Sequence, residues 1–583
     1  MNPRSYLLTK VFVILLIYIT STSCSIFNKR KQEEPKPIAF SDLRVQGELL
    51  TRLLKNFNRL EESKYQPDSV FLSEEESGWW PGDKEGRTVL GLVMDAQATH
   101  RSPVYLDSII HLFPKKMNAK GYFGTNHTSG EADEQQLSSH GWVLRGLCEY
   151  YLWKKDPAVL KMINTIIDNL VIPTKGLHAQ YPIDPDKRTH NGAFSGNRMA
   201  QKTGHWILSS DIGCDFIFMD GVVQSYQVTQ RPELKGIIDE MATKFLQMDL
   251  LKLKAQTHAT LTALRGLLRY YEITKDTSLI TSVESRYILY KKNAMTENYE
   301  NYNWFGRPQW TEPCAFIDSY IVSVWLWRIT GKPEYLEDAQ HIYYNAIGMG
   351  QRSNGGFGCD NCSGAENCFL HVELDEASWC CTMRGGEGLS CAAENMVYTL
   401  HNIIYFTTFD NAVIKVGIGN DSIILEETTN YPFVGKINFD VIDNNLPLKP
   451  ELRFFMPRWI TDPIITINGN KVNYEIKAGF IAVSPELKKG DFIEISFKIK
   501  SGEEKTENLN SVKSTHKYYF GPLIIGYIDK NEVSLPQHLE FEPITRELFK
   551  AKGKPGMFIP VHHMMNTEVK KETGYRLQIL FKD

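Results

Sequence analysis

The chain lacks a charge bias: 65 lysines and arginines stand against 69 aspartates and glutamates, for a net charge of −4. No long basic stripe breaks this balance, which argues against nucleic acid as a partner, because phosphate binding needs concentrated cations. The N-terminal apolar run, Val11 to Ile19, is far shorter than the roughly 20 residues of a spanning helix. An even cysteine set is missing too. Of ten cysteines, one is Cys24 near the N-terminus, so nine remain in the body, and a framework of disulfides alone would strand one thiol.

What precedes Cys24 reads as an address. Arg4 and Lys10 make a basic start, Val11–Ile19 an apolar core, and Thr20 to Ser23 a small-residue stretch ending at Cys24. This is the pattern of a lipoprotein-type signal peptide over residues 1–23. The expectation is cleavage before Cys24, lipid on its thiol, and an exported protein anchored to a bacterial membrane, facing the periplasm or the cell surface. Residues 24–40, rich in Lys, Glu and Pro, read as a tether.

Aromatic residues are abundant, with 11 Trp, 27 Tyr and 29 Phe. Most belong to a core, and a few suit the apolar C–H faces of sugar rings. A repeat organises the first two thirds. Leu144-Arg145-Gly146-Leu147 is echoed by Leu264-Arg265-Gly266-Leu267, each followed by a turn ending in Lys-Asp (Lys155-Asp156 and Lys275-Asp276). Looser copies lie at Val222–Thr229 and Val324–Thr330, and apolar-periodic segments follow at Val159–Val171, Leu234–Met248 and Tyr335–Ile347. Helix, turn, helix, repeated, predicts stacked hairpins. With so many Trp and Tyr on the first helix, closure into an (α/α) toroid over 41–405 is expected rather than an open solenoid. From about residue 400 the texture becomes short β runs separated by Asn, Asp and Gly, as in Ile493, Ile495, Phe497 and Ile499 alternating with Glu494, Ser496 and Lys498. Residues 406–583 are therefore expected to form a β-sandwich region, which makes the chain an α+β multidomain protein.

Cys380 and Cys381 are adjacent, and a direct bond between them would close a strained ring. Glu312-Pro313-Cys314 lies upstream. Two neighbouring thiols joined in space by a third thiol and a carboxylate form a ligand set that zinc accepts, and a metal-held thiolate is a nucleophile at neutral pH. The alternatives are an inert buried pair or partners in two unrelated disulfides; the odd cysteine count favours the metal. Cys359, Cys362 and Cys368 form a further cluster that fits a second metal site or a local disulfide.

These features together resemble glycoside hydrolase family 127, the zinc-thiolate β-L-arabinofuranosidase-type proteins. Glu312-Pro313-Cys314 matches the family's Glu-x-Cys and Cys380-Cys381 its double cysteine. The stretch LRFFMPRWITDPIITINGNKV is similar to its Pro-x-Trp strand and Asn-Gly turn, and YYFGPLIIGY to its Gly-Pro-Leu strand. The resemblance implies a helical toroid followed by β-sandwich. It also implies zinc on Glu312, Cys314, Cys380 and Cys381, with Cys380 the nucleophile of an exo-acting retaining hydrolase of oligosaccharide or polysaccharide. For the acid/base it implies Glu297, with Glu300 as runner-up. For sugar contacts it points to His258, to His140 beside Trp142 with the histidine displaced, and to Asp215 where a histidine is expected. Two competing functions are a catalytically inactive carbohydrate-binding lipoprotein and a toroid-type polysaccharide lyase, which would need a Tyr or His base and a basic subsite.

Overall fold

A computed structural model describes residues 33–583 apart from 72–79, 128–129, 189–195, 197, 366, 507 and 567–573. The expected signal peptide and Cys24 lie outside the described residues. Within them no helix is long and apolar enough to cross a membrane.

Each repeat unit is a helical hairpin. Helices α1 (Gly47–Arg59), α2 (Asp83–Thr99), α3 (Leu106–Lys116), α4 (Glu134–Lys154), α5 (Pro157–Ile166) and α6 (Ile217–Thr229) are followed by α7 (Glu233–Leu246), α8 (Thr257–Thr274), α9 (Thr277–Asn293), α10 (Pro313–Thr330), α11 (Glu334–His341) and α12 (Cys381–Glu394). The even-numbered helices close a ring: α2 packs on α4, and so on through α6, α8 and α10 to α12, which returns to α2. The Lys-Asp turns explain the hairpins. Lys155 and Lys275 take left-handed backbone (φ 56° and 55°), which stops an inner helix. Asp156 and Asp276 then accept hydrogen bonds from the Ala158 and Ser278 N–H groups and start the outer one.

The repeated Arg-Gly pair has two jobs inside this ring. Gly146 lies against the Gly86 carbonyl, and a Cβ there would stand 2.6 Å from that oxygen, so only glycine lets α2 and α4 approach this closely. Arg145 and Arg265 reach across the ring to Glu387 of α12 (3.0 and 2.6 Å). Arg145 also meets Asp220 (3.2 Å), and Arg269 meets Asp220 (2.9 Å). Arg265 and Arg384 share Asp318. Buried charge of this kind survives only when paired, so the network fixes the register of the inner helices.

The β region is larger than one sandwich. A six-stranded sheet and a seven-stranded sheet pack face to face, with Phe406 and Phe454 of the first against Phe439 of the second at ring distances of 4.8 and 5.3 Å. The expected alternation holds in Phe492–Ile499, where Ile493, Ile495 and Phe497 are buried. Beyond residue 500 a nine-stranded sheet follows, which also takes in Phe369–Leu370 from the toroid part. The chain enters this β part early. Lys36–Pro37 pairs with Val397–Leu400 and Leu43–Val45 with Ala412–Ile418, so the end of the stretch read as tether is sheet.

Candidate active site

The thiol cluster forms where two inner helices begin. Cys314 is the second residue of α10, Cys380 precedes α12 and Cys381 opens it. The positive ends of two helix dipoles therefore face the sulfurs and favour their ionised form. Cys381 Sγ lies 3.6 Å from Cys314 Sγ and 3.2 Å from Cys380 Sγ. Zinc bound tetrahedrally at about 2.3 Å from each sulfur would hold them about 3.8 Å apart, so the trio fits one ion. None of the nine described cysteines is in a disulfide, and Cys380 alone is not buried.

The surroundings are cationic. Arg87 of α2 donates from Nη1 to Cys314 Sγ (3.3 Å) while its Nε holds Asp83 (2.8 Å). Burial works against ionising Cys314, but hydrogen bonds from Cys380 and Cys381 and the charges of Arg87 and His258 outweigh it and hold its thiol well below the usual range. The shared proton falls to its neighbours: the hydrogen bond to Cys314 raises Cys380, and burial raises Cys381, which also has a hydrogen bond with Cys359.

Glu312, just before α10, joins this group. Its Oε1 lies 3.1 Å from His258 Nδ1, and the donor atoms of His258, Glu312 and Cys314 lie within 4.8 Å of one another. Gln256 Nε2 reaches Glu312 Oε2 at 3.4 Å, and Asn303 Nδ2 donates to the same oxygen (2.6 Å) in the amide orientation that lets its Oδ1 accept from Trp310. Cys314 is thus common to two groups of ligating type, one with Cys380 and Cys381 and one with His258 and Glu312. A further group of ligating type, Glu48, His562 and His563, lies elsewhere and is closed by arginines: Arg52 Nε and Arg546 Nη1 donate to Glu48 at 2.9 and 3.0 Å.

The remaining sequence candidates are not gathered around the thiols. Both ring nitrogens of His140 are taken by backbone, Nδ1 at the Gln136 carbonyl (2.7 Å) and Nε2 at the Phe123 N–H (3.0 Å); burial lowers its pKa to about 4. Asp215 is buried against His178 Nδ1 (2.9 Å). Trp142 is buried in a stack, with the guanidinium carbons of Arg87 and Arg384 each 4.3 Å from its ring and His258 parallel to it at 5.7 Å. Only His258 of the sugar-contact set touches the metal-type ligands, through Glu312. Glu297 is engaged by the β part: Asn508 N donates to it (3.3 Å), Ser511 Oγ bonds it, and Lys517 Nζ lies 3.2 Å away. Glu300 is fully buried beside Asp360. Burial and the Asp360 charge push its pKa well up. Cys362 donates to the Asn301 carbonyl (3.7 Å), and Cys368 is buried in the small core under the third sheet. The described residues contain neither a metal-type group nor a disulfide built on the Cys359, Cys362 and Cys368 cluster.

Sequence reasoning missed Arg87, Asp83 and Asp318. A signal for Arg87 existed: Gly86-Arg87-Thr88-Val89-Leu90 is an altered copy of the Leu-Arg-Gly-Leu repeat, opening the one inner helix not recognised from the sequence.

Comparison with known proteins agrees with this architecture. The family model of the beta-L-arabinofuranosidase GH127 middle domain matches residues 404–499, which lie in the first two sheets. A GH127 beta-arabinofuranosidase has the same fold with a TM-score of 0.71 at 14% identity, over 94% of this chain and 98% of that one. A GH127 beta-L-arabinofuranosidase from Geobacillus stearothermophilus T6 gives 0.67 at 13% identity, over 93% and 99%. No curated protein matches the sequence. The toroid-plus-sandwich fold is shared with these family 127 proteins at 14% and 13% identity.

Proposed function

We propose that this protein is an exo-acting, retaining glycoside hydrolase whose Cys380 thiolate attacks the anomeric carbon of a β-L-arabinofuranose-like sugar at the end of an oligosaccharide or polysaccharide. The observation that carries this reading is the sulfur trio with one member open. Cys314 and Cys381 are buried at two helix starts, while Cys380 remains partly accessible beside them. An inactive binding protein would have no use for such an arrangement.

In the first step Cys380 Sγ bonds to C1 as the C1–O bond breaks, and the leaving oxygen takes a proton from a carboxylic acid. Water then attacks C1, the S–C1 bond breaks, the proton returns to the carboxylate, and the configuration is retained. Zinc on Glu312, Cys314, Cys380 and Cys381 would keep the thiols ionised at neutral pH. The chain's own residues prepare this. Arg87 holds Cys314, and His258 and Gln256 orient Glu312. Glu297, with Glu300 behind it, is the proposed proton donor; Lys517 Nζ lies 3.2 Å from Glu297, and Glu300 is fully buried. Export and a lipid anchor at Cys24 would set the enzyme against glycans outside the cytoplasm.

The test is a screen of the zinc-loaded protein against p-nitrophenyl β-L-arabinofuranoside and other aryl furanosides and pyranosides, with metal content measured in parallel. Turnover with about one zinc per chain is expected. Full activity and an unchanged melting temperature in metal-free protein would refute the zinc assignment.

A further inference from the structure

Cys380 has an unusual neighbour. Trp379 is 40% exposed, the one tryptophan among the large exposed apolar residues. Every other described tryptophan has a ring, a cation or a hydrogen-bond partner, such as Trp80 with the Gly196 carbonyl, Trp304 with Asp211 and Trp459 with Tyr431. Trp379 has no such partner for its ring face or its indole N–H among the described residues. Its backbone, by contrast, is pinned. The buried Ala377 donates to the Phe357 carbonyl (2.9 Å), and its own carbonyl accepts from the N–H groups of Cys380 (3.3 Å) and Cys381 (3.0 Å). Glu376, at the start of this turn, is held by Arg59 Nε (3.0 Å), Thr382 Oγ1 (2.9 Å) and Tyr65 Oη (3.2 Å).

A bare indole on a rigid turn, one residue from the only thiol not buried among the described residues, has the chemistry of a sugar platform. Its flat apolar face covers ring C–H groups, its N–H can donate to a hydroxyl, and the pinned turn lowers the entropy lost on binding. We propose that Trp379 stacks against the first sugar on the leaving-group side of the scissile bond and so selects glycans whose next unit is a ring over those with a small aglycone. The side follows from exo cleavage: the attacked sugar is the terminal unit beside Cys380, and the rest of the glycan leads outward, where an exposed side chain stands.

This inference rests on the glycosidase reading, and its test separates the two. kcat/KM is measured for methyl β-L-arabinofuranoside and for a β-linked L-arabinofuranosyl disaccharide with wild type, Trp379→Ala and Trp379→Tyr. Trp379→Ala should lower the disaccharide-to-methyl ratio about threefold to tenfold, mainly through KM, as expected for one lost stacking contact. Zinc content and melting temperature should match the wild type, and Trp379→Tyr should restore most of the ratio. A ratio unchanged by Trp379→Ala overturns the platform and leaves the glycosidase reading standing. If the wild type turns over neither glycoside, the sugar assignment fails, and the platform is judged by affinity electrophoresis in arabinan, arabinogalactan and xylan gels. Retardation of the wild type that is lost in Trp379→Ala supports it; equal migration of both proteins in all three gels overturns it.

Discussion

Replacing Cys380 by serine tests the chemistry most directly, because the three thiols sit in different settings. Cys380 is partly exposed, with Cys381 Sγ at 3.2 Å as its close sulfur contact. Exchanging its Sγ for Oγ removes little packing but substitutes a hydroxyl that is scarcely ionised at neutral pH. We expect a rate loss of about 10³- to 10⁵-fold, roughly 4–7 kcal/mol of transition-state stabilisation, even in protein that retains zinc. Cys381 is 1% exposed and bridges Cys314 and Cys380 at 3.6 and 3.2 Å. Cys381→Ser therefore buries a poorly satisfied hydroxyl at a cost of about 1–3 kcal/mol and removes a metal-type ligand, so stability and zinc content should fall together with rate. The assays are aryl-glycoside release, metal analysis of the purified variants and differential scanning calorimetry. Near-normal turnover by Cys380→Ser on any substrate the wild type cleaves would refute the nucleophile assignment outright. Equal loss of metal and stability in both variants would show that the two cysteines do not divide the work in this way.

The helical part was legible because its signals are local. The Lys155-Asp156 and Lys275-Asp276 turns announce a helix stop and start within two residues, and the Arg-Gly pairs repeat at the same distance from the C-terminal ends of α4 and α8. Helix α2 escaped because its copy begins Gly86-Arg87 and lacks the Lys-Asp ending; His100 supplies its left-handed cap instead. The metal-type ligands were legible as motifs. Their environment was not, since Arg87 and Cys314 meet across 227 positions of sequence. The sugar-contact candidates illustrate the opposite hazard. His140 lies inside the inner helix Glu134–Lys154 rather than at its start, and the Gln136 carbonyl four residues earlier and the Phe123 N–H consume both its nitrogens, which no sequence pattern announces. The third sheet was hidden for a similar reason: its edges come from Phe369–Leu370 and from the last residues of the chain, and such pairings depend on topology rather than on alternation.

Two predictions concern the scaffold. Glu387→Gln removes the charge on which Arg145, Arg265 and Arg384 converge. Broken buried pairs leave uncompensated charge, so unfolding in denaturant should show a loss of about 3–5 kcal/mol; a loss below about 1 kcal/mol would mean that the neighbouring carboxylates suffice. The other prediction concerns pH. Glu427 is fully buried in Asp421–Thr429; burial and the like charge of Asp410 push its pKa well above the ordinary range. A carboxyl raised on folding binds its proton more tightly in the native state, so its contribution is complete below the unfolded value near 4.3 and is lost as pH rises through the folded value. Glu427→Gln, a neutral amide of the same shape, should therefore flatten the decline of the melting temperature between pH 5 and 9. If the wild type and Glu427→Gln decline with the same slope, the carboxyl is not held protonated in the sandwich, and the burial argument for it is wrong.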